Sequence, residues 1–272
     1  MLASLIFRIL KLSFKNQYDH KLSHLVEVIS VFISLFIYFY VSKAFGAPVE
    51  GELLKYKVDY FSYVVFGEIF ISLPLFFLVG PFFKLKSLAL DGSLETYLSL
   101  PISLNRFILV LSFWNFAQSL KRVGLTFLIA VLFFGMQFEM LTLLKLLIIV
   151  IVSTPIFLGI GLSLCYFLFV YGRGGSLIGY VNTFVAISSG SFFPLAVMPS
   201  WFSEFCLNVS PFTLFLESAR SLYAHTLSHE LFLIVIVKLL LWGMFLPIGR
   251  LCISLGINFY RKSGRPLIIS HY

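Results

Sequence analysis

Apolar runs of about membrane-crossing length alternate with short polar stretches along almost the whole chain. Residues 25–45 (LVEVISVFISLFIYFYVSKAF) make the first run, and a Gly46–Pro48 break then leads into a polar loop, 49–59, with Glu50, Glu52 and Asp59. Residues 60–83 form the second run. A third lies within 107–137, interrupted by Lys121 and Arg122, and a tight turn near Gly135–Met140 precedes a fourth over 142–170, with Pro155 inside it. Residues 177–195 are a short fifth run and 231–256 a sixth. Runs of about 20 apolar residues are what a helix needs to cross a bilayer. The pattern therefore predicts an all-α polytopic membrane protein of six transmembrane helices in a single transmembrane domain covering 1–272.

The interruptions are as informative as the runs. Residues 1–24 put Leu2, Leu5, Ile6, Ile9 and Leu12 on one helical face and Arg8, Lys11 and Lys15 on another. That arrangement predicts an amphipathic helix lying on the membrane surface, and nothing there resembles a cleavable leader. Residues 84–106 form a polar island between two crossings. Within it Asp91 and Gly92 precede a short helix in which Asp91 caps free N–H groups, Glu95 suits the positive helix end and Pro101 stops the chain. Leu94, Tyr97 and Leu98 fall at helical spacing, so this peg of about 12 Å has an apolar stripe in need of a partner. Residues 196–230, with Pro199 and Pro211, are too interrupted to span and predict a re-entrant segment.

Composition supports this picture and charge orients it. Hydrophobic residues make up 60% of the 272 and charged ones 12%, a surface no soluble domain of that size would carry. The net charge of +8 is scattered at the ends of apolar blocks, the pattern of membrane anchors, so nucleic acid is not an expected partner. Arg8, Lys11, Lys15, Lys21, Lys84, Lys86, Arg106, Arg173, Arg250, Arg261, Lys262 and Arg265 fall on one side of the six crossings. Lys43, Lys55, Lys57, Lys145 and Arg220 fall on the other. By the positive-inside rule both termini are cytoplasmic and the membrane is the cell's inner (plasma) membrane.

Groups able to do chemistry are sparse. Cys165, Cys206 and Cys252 have neither metal-ligand spacing nor a disulfide pattern. His225 and His229 stand four apart, but a third ligand and a base are missing, so neither a metal site nor a catalytic residue is expected. The loop YGRGGS at 171–176 lacks a nucleotide-binding pattern. Four charges lie within the apolar runs: Glu68, Lys121, Arg122 and Lys238. Counted from the same side, Glu68 and Lys238 lie at depths of about 12 and about 10 Å, which makes them candidate partners, the alternative being that Lys238 snorkels outward while Glu68 is protonated. Lys121 and Arg122 are far deeper from that side, and Glu27 is their expected neighbour.

The island GSLETYLSLPISLNRFIL resembles the G-[ST]-L-E-x-L-L-x-x-P stretch of type-2 ABC transporter permeases. The segment 189–223 is similar to a second family pattern, with Gly190, Phe193, Pro194, Pro199, Trp201, Asn208, Pro211 and Arg220 in matching order. The basic pair Lys121–Arg122 has no place in that pattern. The resemblance implies a non-enzymatic membrane subunit that dimerises with a second copy or a close relative and binds separate ATPase subunits, which would hold ATP and Mg. It implies that 84–106 is a coupling region, contacting the ATPase through Asp91, Gly92, Leu94, Glu95, Tyr97 and Leu98. It further implies an outer cap built on Gly190, Phe193, Pro194, Pro199, Trp201 and Pro211, and a cargo path lined by the second and fifth crossings. Tyr63, Phe66, Asn182 and Phe184 are the candidate liners, and their character points to an amphipathic or lipid-linked cargo moved out of the cytoplasm or inner leaflet. A polysaccharide or lipid-polymer exporter is the nearest alternative. From other classes, an ion-coupled carrier would use the intramembrane charges, and an intramembrane enzyme would use the histidine pair.

Overall fold

A computed structural model describes residues 21–53, 58–99, 104–135, 139–172 and 174–263. The surface helix expected over 1–24 lies outside them up to residue 20, as do Pro101, Arg173 and the tail from 264. The described residues are helical throughout, with no strand: α1 (Lys21–Leu53), α2 (Tyr60–Leu90), α3 (Leu94–Ser99), α4 (Leu104–Phe134), α5 (Met140–Tyr171), α6 (Gly175–Ser188), α7 (Ser200–Val209), α8 (Pro211–Tyr223), α9 (His229–Trp242) and α10 (Phe245–Ser263). A bilayer leaves the backbone no hydrogen-bond partner but itself, so helices are the expected solution. Four stretches are long and apolar enough to cross one: Leu25–Ala44, Tyr60–Leu90, Met140–Tyr171 and the α9–α10 stretch His229–Ser263.

Helix α2 is the axis of the bundle. In its most apolar window 72% of the residues are buried, against 11% for the first crossing and 17% for the last, so α2 is enclosed by protein while those two present their sides outward. It packs on α1, α4 and α5, and its Phe66, Leu78, Phe82 and Leu85 are almost fully buried. Helix α5 joins it to the last crossing through two glycines on opposite faces. A side chain at Gly161 would run into the carbonyl of Leu78 on α2, and one at Gly159 into the backbone of Phe245 on α10. Gly249 of α10 meets the Gly159 carbonyl in return. In lipid, where helix association gains little from the hydrophobic effect, small residues bring backbones within van der Waals reach.

Several boundaries differ from those expected: α2 runs on from 83 to Leu90, and α6 stops at Ser188 rather than 195. Helix α1 runs through Gly46–Pro48 and stops only at Leu53, so there is no break there and the polar loop is shorter. In a membrane helix proline is tolerated because the alternative is an unsatisfied backbone, and α2 likewise continues through Pro74 and Pro81. The last apolar run is two helices rather than one, with Gly243 closing α9.

Candidate functional site

A groove of about 530 Å³ lies between α2, α4 and α6. From α2 it takes Glu68 and Ser72, then the apolar Leu75, Phe76, Val79 and Phe83 at helical spacing. Arg122 and Thr126 face it from α4, and Gly179 and Asn182 from α6. Glycines at 175 and 179 keep the α6 wall low. One end of the groove is therefore polar and carries both signs of charge, and the other end is apolar. Glu68 and Arg122 both face the groove, and no hydrogen bond or ion pair joins the two.

This placement corrects the expected pairing of Glu68 with Lys238. Lys238 is exposed on α9, which packs against α5 and α8, whereas Glu68 turns toward α4 and α6. Equal depth did not bring them to one side of the bundle. Helix α4 also ends at Phe134, which puts Arg122 about 18 Å from that end, nearer the level of Glu68 than counting from residue 137 implies. The other expected neighbour is found: Lys121 Nζ donates to Glu27 Oε2 at 2.6 Å, tying α4 to α1.

Of the four candidate liners, Asn182 reaches the groove. Phe184 is on the exposed side of α6. Tyr63 and Phe66 are 1% exposed and belong to the packing rather than to any open path. Phe66 stacks between Phe70 and Tyr223, with ring centroids 4.4 and 5.0 Å away. Tyr63 is held by Arg220, near the end of α8. Arg220 Nη1 donates to Tyr63 Oη at 2.6 Å and to the Gly190 carbonyl at 2.8 Å, while Nη2 donates to the Ser191 carbonyl at 3.1 Å. Tyr63 Oη donates in turn to Gly190 at 2.9 Å. The guanidinium also lies 3.5 Å from the centre of the Tyr63 ring, a cation–π contact.

Arg220, counted from the sequence among the charges on the outer side of the membrane, is 3% exposed. It satisfies carbonyls just past the end of α6, where a cation also suits the negative end of a helix. Gly190 turns the chain there with φ +68°, and Thr213 Oγ1 donates to the Ser188 carbonyl at 2.6 Å. A side chain at Gly67 would come within 2.7 Å of Arg220 Nη2, so α2 needs a glycine beside the clamp. Pro194 and Pro211 are buried; Pro211 opens α8, whose first turn is capped by Ser210. Phe193, Pro199 and Trp201 are exposed. Of the residues expected in a cap, Gly190 belongs to the clamp and Trp201 stands on α7.

At the other end of α2 lies the short helix α3. Asp91 does not cap it; Asp91 closes α2 and accepts from Ser87 Oγ at 3.4 Å, and Gly92, φ +68°, makes the turn between the helices. Within the expected apolar stripe, Leu94 is 2% exposed and Leu98 is partly buried against the same core. The Tyr97 side chain lies outside the described set. Glu95 and Thr96 face outward with Asp91 and Gly92. Glu95 Oε1 accepts from Tyr260 Oη, and the Leu98 carbonyl accepts from Arg261 Nη2, both at 3.2 Å, so α3 is laced to the end of α10.

The histidines do not form a site. His225 sits in the turn after α8 with its Nε2 3.7 Å from Glu139 Oε1, and His229 opens α9, so they share no helix face. No cluster of three metal-ligating side chains occurs among the described residues. The glycines at 67, 159 and 249 and the clamp role of Arg220 were missed by sequence reasoning; a glycine inside an apolar run was their only signal. No protein-family model matches the chain, and no curated protein matches it either.

Proposed function

We propose that this chain is the membrane subunit of an ATP-driven exporter of the type-2 ABC class. In this reading α4 and the short α6 complete six crossings with the four long apolar stretches, and both termini are cytoplasmic. The observation that carries the reading is α3: a six-residue helix at one end of the bundle, with Leu94 buried beneath it and Glu95 and Thr96 turned outward. A separate ATPase subunit holding ATP and Mg docks on that outward face. Because Leu94 is seated in the core beside α2, and Glu95 and Leu98 are bonded to α10, a push on α3 is delivered to two crossings at once. A second copy completes the transporter. The clamp at Arg220 holds the outer end of α2 against the cap, so that motion from below tilts a rigid unit instead of peeling it apart.

The groove's apolar wall and its scale, within the range of about 300–1,000 Å³ for small-molecule sites, favour an amphipathic cargo over a polymer. Co-purification from mild detergent with the cell's soluble ATP-binding proteins tests the assignment. An ATPase subunit retained by the unaltered chain and lost on Glu95→Arg with Thr96→Arg is the expected result. A chain that transports in proteoliposomes without any ATPase overturns it. A second reading, an ion-coupled carrier, is favoured by one observation, the charges of Glu68 and Arg122 in the groove. It predicts uptake driven by an ion gradient alone.

A further inference from the structure

The groove between α2, α4 and α6 holds more information than its size. Its polar end carries a carboxylate from α2 and a guanidinium from α4, and Ser72, Thr126 and Asn182 line it as well. Glu68 and Arg122 form no direct bond with each other. Charges inside a bilayer are costly unless matched, and an ion pair closed on itself would have cancelled both. Held apart across a cavity, they leave a matched set of places, one for a cation and one for an anion. Below them Leu75, Phe76, Val79 and Phe83 continue the wall, and the α2 stretch from Glu68 to Phe83 is about 22 Å long. The volume, about 530 Å³, sets the scale at one small amphiphile.

We propose that this groove binds a single-chain zwitterionic amphiphile, its cationic end at Glu68, its anionic end at Arg122 and its chain along Leu75, Val79 and Phe83. Ser72, Thr126 and Asn182 supply hydrogen bonds to the headgroup. The cargo role of this site rests on the exporter reading, but its binding chemistry does not.

The test is equilibrium binding to the purified full-length chain in an uncharged maltoside detergent. The probes share a chain length and differ in headgroup: lysophosphatidylethanolamine and an alkyl betaine (zwitterionic), an alkyltrimethylammonium (cationic) and an alkyl phosphate (anionic). Zwitterions are expected to bind about tenfold or more tighter than either singly charged probe. Tight binding of both zwitterions assigns the headgroup class. Binding of the lysolipid alone also supports the proposal and makes the bilayer the source. Glu68→Gln should abolish the preference over the anionic probe, and Arg122→Gln the preference over the cationic one. Val79→Trp, which fills the apolar end without touching a charge, should weaken all probes together and keeps the test decisive if a charge variant fails to fold. Equal affinity for all four probes, or a preference that survives both charge variants, overturns the proposal. A selective groove in a chain that recruits no ATPase leaves the site standing and removes the exporter reading; an unselective groove in a chain that recruits one does the reverse.

Discussion

Arg220 grips Tyr63 in three ways at once, donating Nη1 to its hydroxyl at 2.6 Å and Nη2 to its carbonyl at 3.4 Å and lying 3.5 Å from the centre of its ring. The same guanidinium holds the Gly190 and Ser191 carbonyls, so one side chain joins α8, the start of α2 and the end of α6. Lysine keeps the charge but not the planar fork that reaches several acceptors together. Arg220→Ala should cost about 2–4 kcal/mol, the scale for charged hydrogen bonds and stranded acceptors, and Arg220→Lys should recover little of it. Tyr63→Phe, which removes one hydroxyl and leaves the ring, should cost on the order of 1 kcal/mol. Thermal unfolding in detergent reads the order. Arg220→Ala melting no lower than Tyr63→Phe would show that the clamp does not hold the cap.

The crossing of α5 and α10 makes a second stability prediction. At Gly159 and Gly249 the atoms in the way are backbone, which has nowhere to retreat. Gly159→Val should push the helices apart at a cost of about 1–3 kcal/mol or more, visible as loss of monodisperse protein in size-exclusion chromatography. Gly179 is the internal control, since nothing lies within 4 Å of a side chain built there and Gly179→Ala should be silent.

Depth along a run is legible in a sequence; direction around a helix is less so. Counting residues identified Glu27 as the neighbour of Lys121, and the two side chains meet although Lys121 lies past the middle of α4. The same counting paired Glu68 with Lys238, which share a level but face different sides of the bundle. The all-helical architecture and the short helix at the end of α2 followed from apolar periodicity, while the cap of that helix was misjudged. Periodicity shows a stripe without showing what covers it; Leu94 is covered by the chain itself and Leu98 partly so. Arg220 and Tyr63 are 157 residues apart, and no local pattern links them.

The Lys121–Glu27 bond is the one close lysine–carboxylate pair among the described residues. Its two side chains are 35% and 28% exposed, so its worth lies toward the modest end, on the order of 1 kcal/mol. Lys121→Glu and Glu27→Lys singly should each lower the melting temperature, and the exchanged double variant should regain most of the loss. A double variant as unstable as the worse single one would show that packing, and not the charge pair, fixes α4 on α1.

Orientation in the membrane is open to labelling. The proposed topology puts α7 outside and α3 in the cytoplasm. On a cysteine-free background, Asn208→Cys should react with a membrane-impermeant maleimide in intact cells, while Thr96→Cys should react only in inverted vesicles; both positions are exposed in the fold. The opposite pattern would reverse the whole chain.

The last prediction concerns how α3 is held. A helix of six residues has too few internal hydrogen bonds to be stable alone, so its position depends on what it is fastened to. Leu94 anchors its underside, and Tyr260 and Arg261 fasten it to α10 through the Glu95 carboxylate and the Leu98 carbonyl. These two bonds are exposed and individually weak, so removing them should leave the unfolding free energy within about 1 kcal/mol of the parent while freeing the peg. Spin labels at Thr96→Cys and Lys262→Cys should report a narrow distance distribution in the parent and a broad one when Tyr260→Phe is combined with Arg261→Ala. If α3 passes motion to α10 through these bonds, the same double variant should keep its ATPase subunit yet lose cargo-stimulated hydrolysis. Leu98→Asp, which attacks the buried side instead, should destabilise the fold as well. A narrow distribution in the double variant would mean that Leu94 alone positions the helix, and full stimulation would mean that coupling takes another route.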